Sequence, residues 1–63
     1  MKISIKAARI NAGLTQQEVV SATGFSRSAL LRWENGQTFP RADKLERLCK
    51  LYRVEVADIQ LIK

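Results

Sequence analysis

The sequence has 63 residues, a formal net charge of +5 and no histidine, with 11 Lys and Arg against 6 Asp and Glu. A chain this short is expected to form a single domain over residues 1–63, and it has no room for a large catalytic cavity, which argues against an enzyme. One cysteine and no histidine exclude an internal disulfide and leave few metal ligands, so neither a metal nor any other cofactor is expected.

The first predicted helix covers about residues 3–12. Residues three and four apart lie on the same side of a helix, which defines an inward face. Gly13 follows this segment, and glycine is common just past the end of a helix. The residues expected on the inward face are Ile5, Ala8, Arg9 and Ala12.

The second predicted helix begins with a capping box, TQQE, at residues 15–18. In this motif the Thr15 hydroxyl accepts a hydrogen bond from the Glu18 amide, and the Glu18 carboxylate accepts one from the Thr15 amide. The helix is therefore predicted over about residues 16–23. Gly24 then supplies a turn that a β-carbon would hinder. The positions expected to face inward are Val19, Ala22 and Thr23.

The third predicted helix covers about residues 26–35, from a Ser26 cap to the Asn35-Gly36 pair. At about 100° per residue, this helix has two distinct sides. The side expected to face the protein carries Ser26, Leu30, Trp33 and Glu34. The outward side carries Ser28, Leu31, Arg32 and Asn35, with Arg27 at its margin.

The rest of the chain is also helical in its apolar spacing. After a loop, a fourth helix is predicted over about residues 42–52 and a short last helix near residues 57–62. The segment Val54–Val56 alternates like a strand, but one such short strand has nothing to pair with. The predicted fold is therefore all-α, a compact bundle of about five short helices. The fourth helix is expected to bury Leu45, Leu48, Cys49 and Tyr52, with the Tyr52 hydroxyl near the surface.

Two short helices joined by a glycine-containing turn form the layout of a helix-turn-helix. In that motif the second helix of the pair enters the major groove of DNA while the first crosses the backbone. The pattern continues on both sides of the motif, through Arg9, "GLTQQEV", Gly24, "SRSALLRWENG", Pro40 and the apolar series Leu45, Leu48, Cys49, Tyr52, Val54, Val56 and Ile59. On these residues the sequence resembles the lambdoid phage repressor and Cro type of helix-turn-helix domain, the XRE class, over essentially the whole chain.

The resemblance implies roles for individual residues. Those in positions that face bases or adjacent phosphates are Ser26, Arg27, Ser28 and Arg32. Those in positions that contact phosphate are Gln16, Asn35, and Gln37, Thr38 and Arg41 in the following loop, whose backbone is included. Gln16 is also implied to brace the recognition helix. Arg9 and Glu34 match an inward-facing ion pair that ties the first helix to the end of the third.

The excess of positive charge favours a polyanion as partner, and nucleic acid before an acidic membrane or protein. The resemblance implies a regulator of transcription that binds double-stranded DNA at a palindromic operator, similar to Cro or a short repressor. An N-terminal domain of a longer regulator fits the same pattern. No apolar run approaches the length of a membrane span and no signal-peptide core begins the chain, so a soluble cytoplasmic protein without membrane or small-molecule partners is expected.

Three points stay open at the level of sequence. A homodimer is expected, in free solution or only on DNA, through the apolar residues Val56, Ile59, Leu61 and Ile62; the alternative is that these residues complete the core. Leu31 is apolar where a polar residue is usual in such domains, and it has three interpretations: contact with a thymine methyl, an interface, or simple exposure. The alternative function is a protein-binding module of the same fold, an antitoxin or antirepressor that grips an acidic partner.

Overall fold

The computed structural model describes residues 2–60, and this part of the chain is helical with short connections. None of its helices is long and apolar enough to cross a membrane. The all-α class is confirmed for these residues. The elements are α1 (Ile5–Asn11), α2 (Gln16–Thr23), α3 (Arg27–Glu34), α4 (Ala42–Tyr52) and a single 3-10 turn, Val56–Asp58.

Three helices begin at a side-chain cap. Ser4 accepts from the Ala7 amide at 3.0 Å, so α1 begins two residues later than predicted. The capping box of α2 is complete, with Thr15 N donating to Glu18 Oε1 at 2.8 Å and Glu18 N donating to Thr15 Oγ1 at 3.1 Å. Ser26 Oγ accepts from the Ala29 amide at 3.1 Å and caps α3. Short polar side chains therefore set where α1, α2 and α3 start.

The turn between α2 and α3 depends on Gly24, whose φ of 79° lies in the left-handed region. Thr23 faces partly inward and stabilises this turn, because its hydroxyl donates to Val19 O at 2.7 Å and accepts from the Phe25 amide at 3.2 Å. Three inward positions were predicted wrongly, since Ala12, Ala22 and Ser26 are exposed. Each lies in the last turn or at one end of a short helix, where no neighbouring element covers it.

The fifth predicted helix is absent from the described residues, and the 3-10 turn stands in its place. Ile59 leaves the helical conformation, with φ −84° and ψ 128°, because it forms a parallel bridge with Ile3. Ile3 N donates to Asp58 O at 2.8 Å and Ile3 O accepts from Gln60 N at 2.8 Å. The two ends of the described segment are thus joined. The predicted helix also included Leu61 and Ile62, which lie outside the described residues.

One core lies between the four helices and the C-terminal turn. Its fully buried members include Leu30 of α3, Leu48 of α4 and Val19 of α2. The predicted buried stripe of α4 is confirmed in full, as is the inward position of Trp33. The core residues are Ile5, Ala8, Val19, Leu30, Trp33, Leu45, Leu48, Cys49, Tyr52 and Ile59.

Tyr52 differs from its prediction. Its hydroxyl was expected near the surface, but the residue is 4% exposed and the oxygen is buried without a hydrogen-bond partner in residues 2–60. Burial, and secondly the charge of Glu34, raise the pKa of Tyr52 to about 12. Its position near the end of α4, facing the core beside the Arg9 and Glu34 side chains, keeps the ring away from water.

Candidate functional site

An ion pair fixes the C-terminal end of α3 to α1. Arg9 Nε donates to Glu34 Oε2 at 2.7 Å, and Arg9 Nη2 donates to Glu34 Oε1 at 3.3 Å. The third nitrogen, Nη1, donates to Leu14 O at 2.9 Å, which also secures the connection to α2. Both side chains are removed from water, with 10% of Arg9 and 2% of Glu34 exposed. The pair expected from the resemblance is therefore present in the structure.

Gln16 adds the second helix to the same junction. Its Nε2 donates to Glu34 Oε1 at 3.1 Å, so the first residue of α2 bonds the last residue of α3. The hydrogen bond from Arg9 to Glu34 is also the main reason that the pKa of Arg9 is raised. Glu34 thus accepts from α1 and α2 together, and rotation of α3 about its axis would break both contacts. This contact supplies the brace expected of Gln16.

The other end of α3 is held by an aromatic cluster. Phe25, in the turn, meets Trp33 edge to face with ring centroids 5.4 Å apart. From α4, the guanidinium of Arg47 lies 4.9 Å from the Phe25 centroid and donates to Thr23 O at 2.8 Å. The Lys44 ammonium approaches the same ring at 5.9 Å. Phe25 and Arg47 were not predicted from the sequence. The signal available for Phe25 was its place directly after the turn glycine, Gly24.

The outward side of α3 carries the side chains that were predicted there. We call this surface the α3 face, and it consists of Arg27, Ser28, Leu31, Arg32 and Asn35, all exposed. Within the described part of the chain, Arg32 makes no ion pair and its side chain makes no hydrogen bond. The guanidinium of Arg27 is held by Gln17, whose Oε1 accepts from Nη2 at 2.7 Å. Because the Gln17 amide is neutral, this contact does not compensate the positive charge of Arg27, and the other N–H groups of the guanidinium are not used by it.

Ser26 is already in use inside the protein. Its oxygen caps α3 by accepting one hydrogen bond, which leaves the hydroxyl proton and a second lone pair for an outside partner. It is exposed at the start of the helix, next to Arg27. The structure therefore brings all four residues predicted to face bases to one helix, but gives Ser26 a structural duty as well.

The loop after α3 presents side chains more readily than amides. The Gln37 and Thr38 amides both donate to Arg32 O, at 2.9 and 3.5 Å, and so close the end of the helix. The backbone contact with phosphate at these two residues stays a prediction, and in this structure their amides have intramolecular partners. Their side chains and that of Arg41 are exposed.

The apolar dimer patch expected at the C-terminus is not supported as predicted. Ile59 is 7% exposed and belongs to the core, so it is not available to a partner. Val56 is 43% exposed, while Leu61 and Ile62 lie outside the described residues. Two exposed apolar residues were missed by the sequence reading, Ile10 at 56% and Phe39 at 43%. The helical period places Ile10 opposite the inward face of α1, whereas Phe39 lies in a loop that has no such period.

The charge of the molecule is largely uncompensated at its surface. Arg9–Glu34 is the one salt bridge among residues 2–60. Every other basic side chain in this part of the chain is exposed and has no carboxylate within salt-bridge distance. A surface of this kind attracts polyanions over distances up to about 10 Å at moderate salt.

Comparison with known proteins agrees with this architecture. The model of a family described as a helix-turn-helix domain matches residues 4–62. Among curated proteins, the chain is similar to the cryptic phage CTXphi transcriptional repressor RstR of Vibrio cholerae, at 31% identity over 55 residues. The match covers 87% of this chain and 50% of the relative, so the chain spans half the length of that repressor. No solved structure gives a significant match.

Proposed function

This chain belongs to the helix-turn-helix domain family, within the phage XRE type, and on that premise we propose that it is a sequence-specific regulator of transcription that binds double-stranded DNA. The observation that carries the proposal is the α3 face. It lies on a short helix that is held by the Arg9–Glu34 pair and by the Phe25–Trp33 contact, and it presents Arg32, which is exposed and has no ion pair in residues 2–60. A major groove about 12 Å wide accepts one such helix.

Arg32 and Arg27 make the base contacts in this proposal. An arginine can donate two parallel hydrogen bonds to O6 and N7 of guanine, which discriminates against other bases by about 1–3 kcal/mol. The exposed Arg32 guanidinium is available for these hydrogen bonds. The Arg27 guanidinium is oriented by its hydrogen bond to Gln17. The hydroxyl groups of Ser26 and Ser28 hydrogen-bond to base edges or phosphates that lie close to the helix. Their small size lets the helix approach the floor of the groove.

Phosphate contacts fix the position of the helix. Residues at the C-terminal end of the α3 face, in the loop that follows it and at the start of α2 are suited to them, because they are polar or basic and at least partly exposed. Such contacts carry no sequence information but hold the register of the protein on the duplex. The residues are Gln16, Asn35, Gln37, Thr38 and Arg41.

The protein acts as a homodimer on a palindromic operator in the cytoplasm, as a repressor or Cro-like regulator. The similarity to the repressor RstR supports repression. Two copies would place their α3 helices one turn of DNA apart, about 34 Å. Of the apolar residues expected at the dimer contact, Val56 is exposed in the described part of the chain.

Selection of bound sequences from a randomised duplex pool tests the proposal. We expect enrichment of a two-fold symmetric site containing a guanine in each half-site. Affinity for this site should fall linearly with salt on logarithmic axes, and a scrambled duplex should bind at least about a thousandfold more weakly. Failure to enrich any sequence, with salt-dependent binding to an acidic protein instead, would favour the protein-binding module and contradict the proposal.

A further inference from the structure

Leu31 interrupts an otherwise polar surface. It lies in the middle of the α3 face, three residues after Ser28 and four before Asn35, and it is 39% exposed. Its neighbours Leu30 and Trp33 are buried, so the same helix cannot turn Leu31 into the core without expelling them. The contacts of Glu34 with Arg9 and Gln16 resist such a rotation. The exposure of Leu31 is therefore built into the fold.

We propose that Leu31 is a specificity-determining residue that reads the 5-methyl group of one thymine in each half-site. This inference rests on the proposed function, because it requires that the α3 face lie in the major groove. It adds an apolar element of recognition to the hydrogen bonds from Arg27 and Arg32.

The chemistry of the groove identifies the partner. In the major groove the bases present hydrogen-bond donors and acceptors, and the one methyl group among them belongs to thymine. An isobutyl side chain pressed against N7, O6 or N4 would remove water from a polar atom without replacing its hydrogen bond. Against the thymine methyl it buries apolar surface on both sides. Leu31 therefore favours thymine and disfavours the alternatives by the same contact.

The surroundings of Leu31 leave it accessible. Side chains on a helix lean towards its N-terminus, so Leu31 extends over the turn that contains Arg27 and Ser28. Ser28 is small, and the Arg27 guanidinium is drawn to Gln17 of α2 by a hydrogen bond of 2.7 Å. With 39% of its surface exposed, Leu31 keeps part of its side chain accessible to a base.

Replacing single thymines by deoxyuridine tests this proposal, because the change deletes the methyl group and preserves base pairing. The duplex is the site selected from the randomised pool, and affinity is measured for wild type and for Leu31→Ala. For wild type we expect one thymine per half-site whose replacement weakens binding about fourfold, the value of one buried methyl group. For Leu31→Ala the same replacement should have no effect.

Ile10→Ala is the matched control, since it also removes an exposed aliphatic side chain, but from α1. It should retain the sensitivity of wild type to deoxyuridine. Circular dichroism should show that Leu31→Ala is folded, because alanine favours helix and the replaced side chain is not in the core. Sedimentation of both variants should match wild type.

Three results would overturn the inference. Wild type could bind its site with no dependence on any thymine methyl, or Leu31→Ala could keep the full sensitivity of wild type. A Leu31→Ala variant that dissociates from dimer to monomer would assign the residue to an interface between copies. If wild type selects no duplex at all, the proposed function itself fails, and that outcome is distinct from the three.

Discussion

At the buried end of α3, the guanidinium of Arg9 donates from Nε, Nη1 and Nη2 to Glu34 and Leu14. On the exposed face of the same helix, the side chain of Arg32 has no partner in residues 2–60. The chain thus uses one type of residue in two opposite environments. The buried arginine donates its hydrogen bonds within the protein, while the N–H groups of the exposed arginine are available to another molecule.

The comparison separates positioning from recognition. A buried ion pair contributes little net stability, because desolvating two charges costs about as much as their attraction returns. It does specify one arrangement of α1, α2 and α3, since no other rotation of α3 satisfies Glu34. Arg32 adds nothing of this kind to the fold, but it is presented at a fixed angle. The buried Arg9–Glu34 pair therefore fixes the orientation in which Arg32 is presented.

Arg9→Ala should produce the largest loss of stability. Among residues 2–60 it leaves the buried Glu34 carboxylate with Gln16 as its one side-chain partner, and removing one member of a buried pair costs about 3–5 kcal/mol. A domain of this size has a total stability of the order of 3–9 kcal/mol, so the variant should be largely unfolded near 37 °C. Thermal unfolding followed by circular dichroism measures this effect.

A matched double variant sharpens the result. Arg9→Met with Glu34→Leu removes both charges at similar volume, so we expect it to recover most of the lost stability. If Arg9→Ala alone melted at the temperature of wild type, the buried pair would have no role in holding α3.

Arg32→Ala should have the opposite profile. Its free energy of unfolding should stay within about 0.5 kcal/mol of wild type, because the side chain is exposed and unpaired. Its affinity for the selected duplex should fall about 10- to 100-fold, with discrimination lost at one or two base pairs. Equilibrium binding to a set of single-base variants of the site measures both effects.

Asn35→Ala is the comparison variant for Arg32→Ala. Asn35 is exposed at the end of α3, where it is suited to phosphate, so its loss should weaken all sequences evenly. Identical specificity profiles for the two variants would show that readout and positioning are not divided between these residues as proposed.

Tyr52→Phe should have the smallest effect at neutral pH. The Tyr52 hydroxyl is buried without a partner in the described residues, so its removal should change the free energy of unfolding by less than about 1 kcal/mol. A larger loss would show that the hydroxyl has a partner close to the Arg9 junction.

The same variant has a distinct signature at high pH. The pKa of Tyr52 is raised to about 12 in the folded chain, from a usual value of 10.0. Between these two values the unfolded chain loses the phenol proton and the folded chain keeps it, so wild type loses stability as pH rises through the window. Tyr52→Phe should lack this part of the alkaline loss. Unfolding in urea from pH 9 to pH 12 tests the difference.

Local signals in the sequence were sufficient for most of the fold. The capping box at Thr15, the cap at Ser26 and the apolar spacing of α4 depend on contacts within a few residues, and each is present. The bridge between Ile3 and Ile59 could not be predicted, because it joins distant residues through backbone atoms alone. That bridge is also why the fifth helix was predicted wrongly.

The candidate site divides in the same way. The helical period indicated which residues of α3 face outward, because only rotation about one axis is involved. The resemblance, rather than the spacing, supplied the Arg9–Glu34 pair and the brace at Gln16. The use of the Gln37 and Thr38 amides within the protein and the packing of Arg47 on Phe25 depend on the path of a loop and on α4. Neither leaves a periodic pattern.

Amide chemical-shift mapping during titration with the selected duplex tests the central claim most directly. The account predicts that the largest shift changes fall on the α3 face and on the loop over residues 37–41, with a scrambled duplex giving small, salt-sensitive changes. Changes centred on another surface, with the amides of Arg27, Ser28 and Arg32 unmoved at saturation, would contradict it.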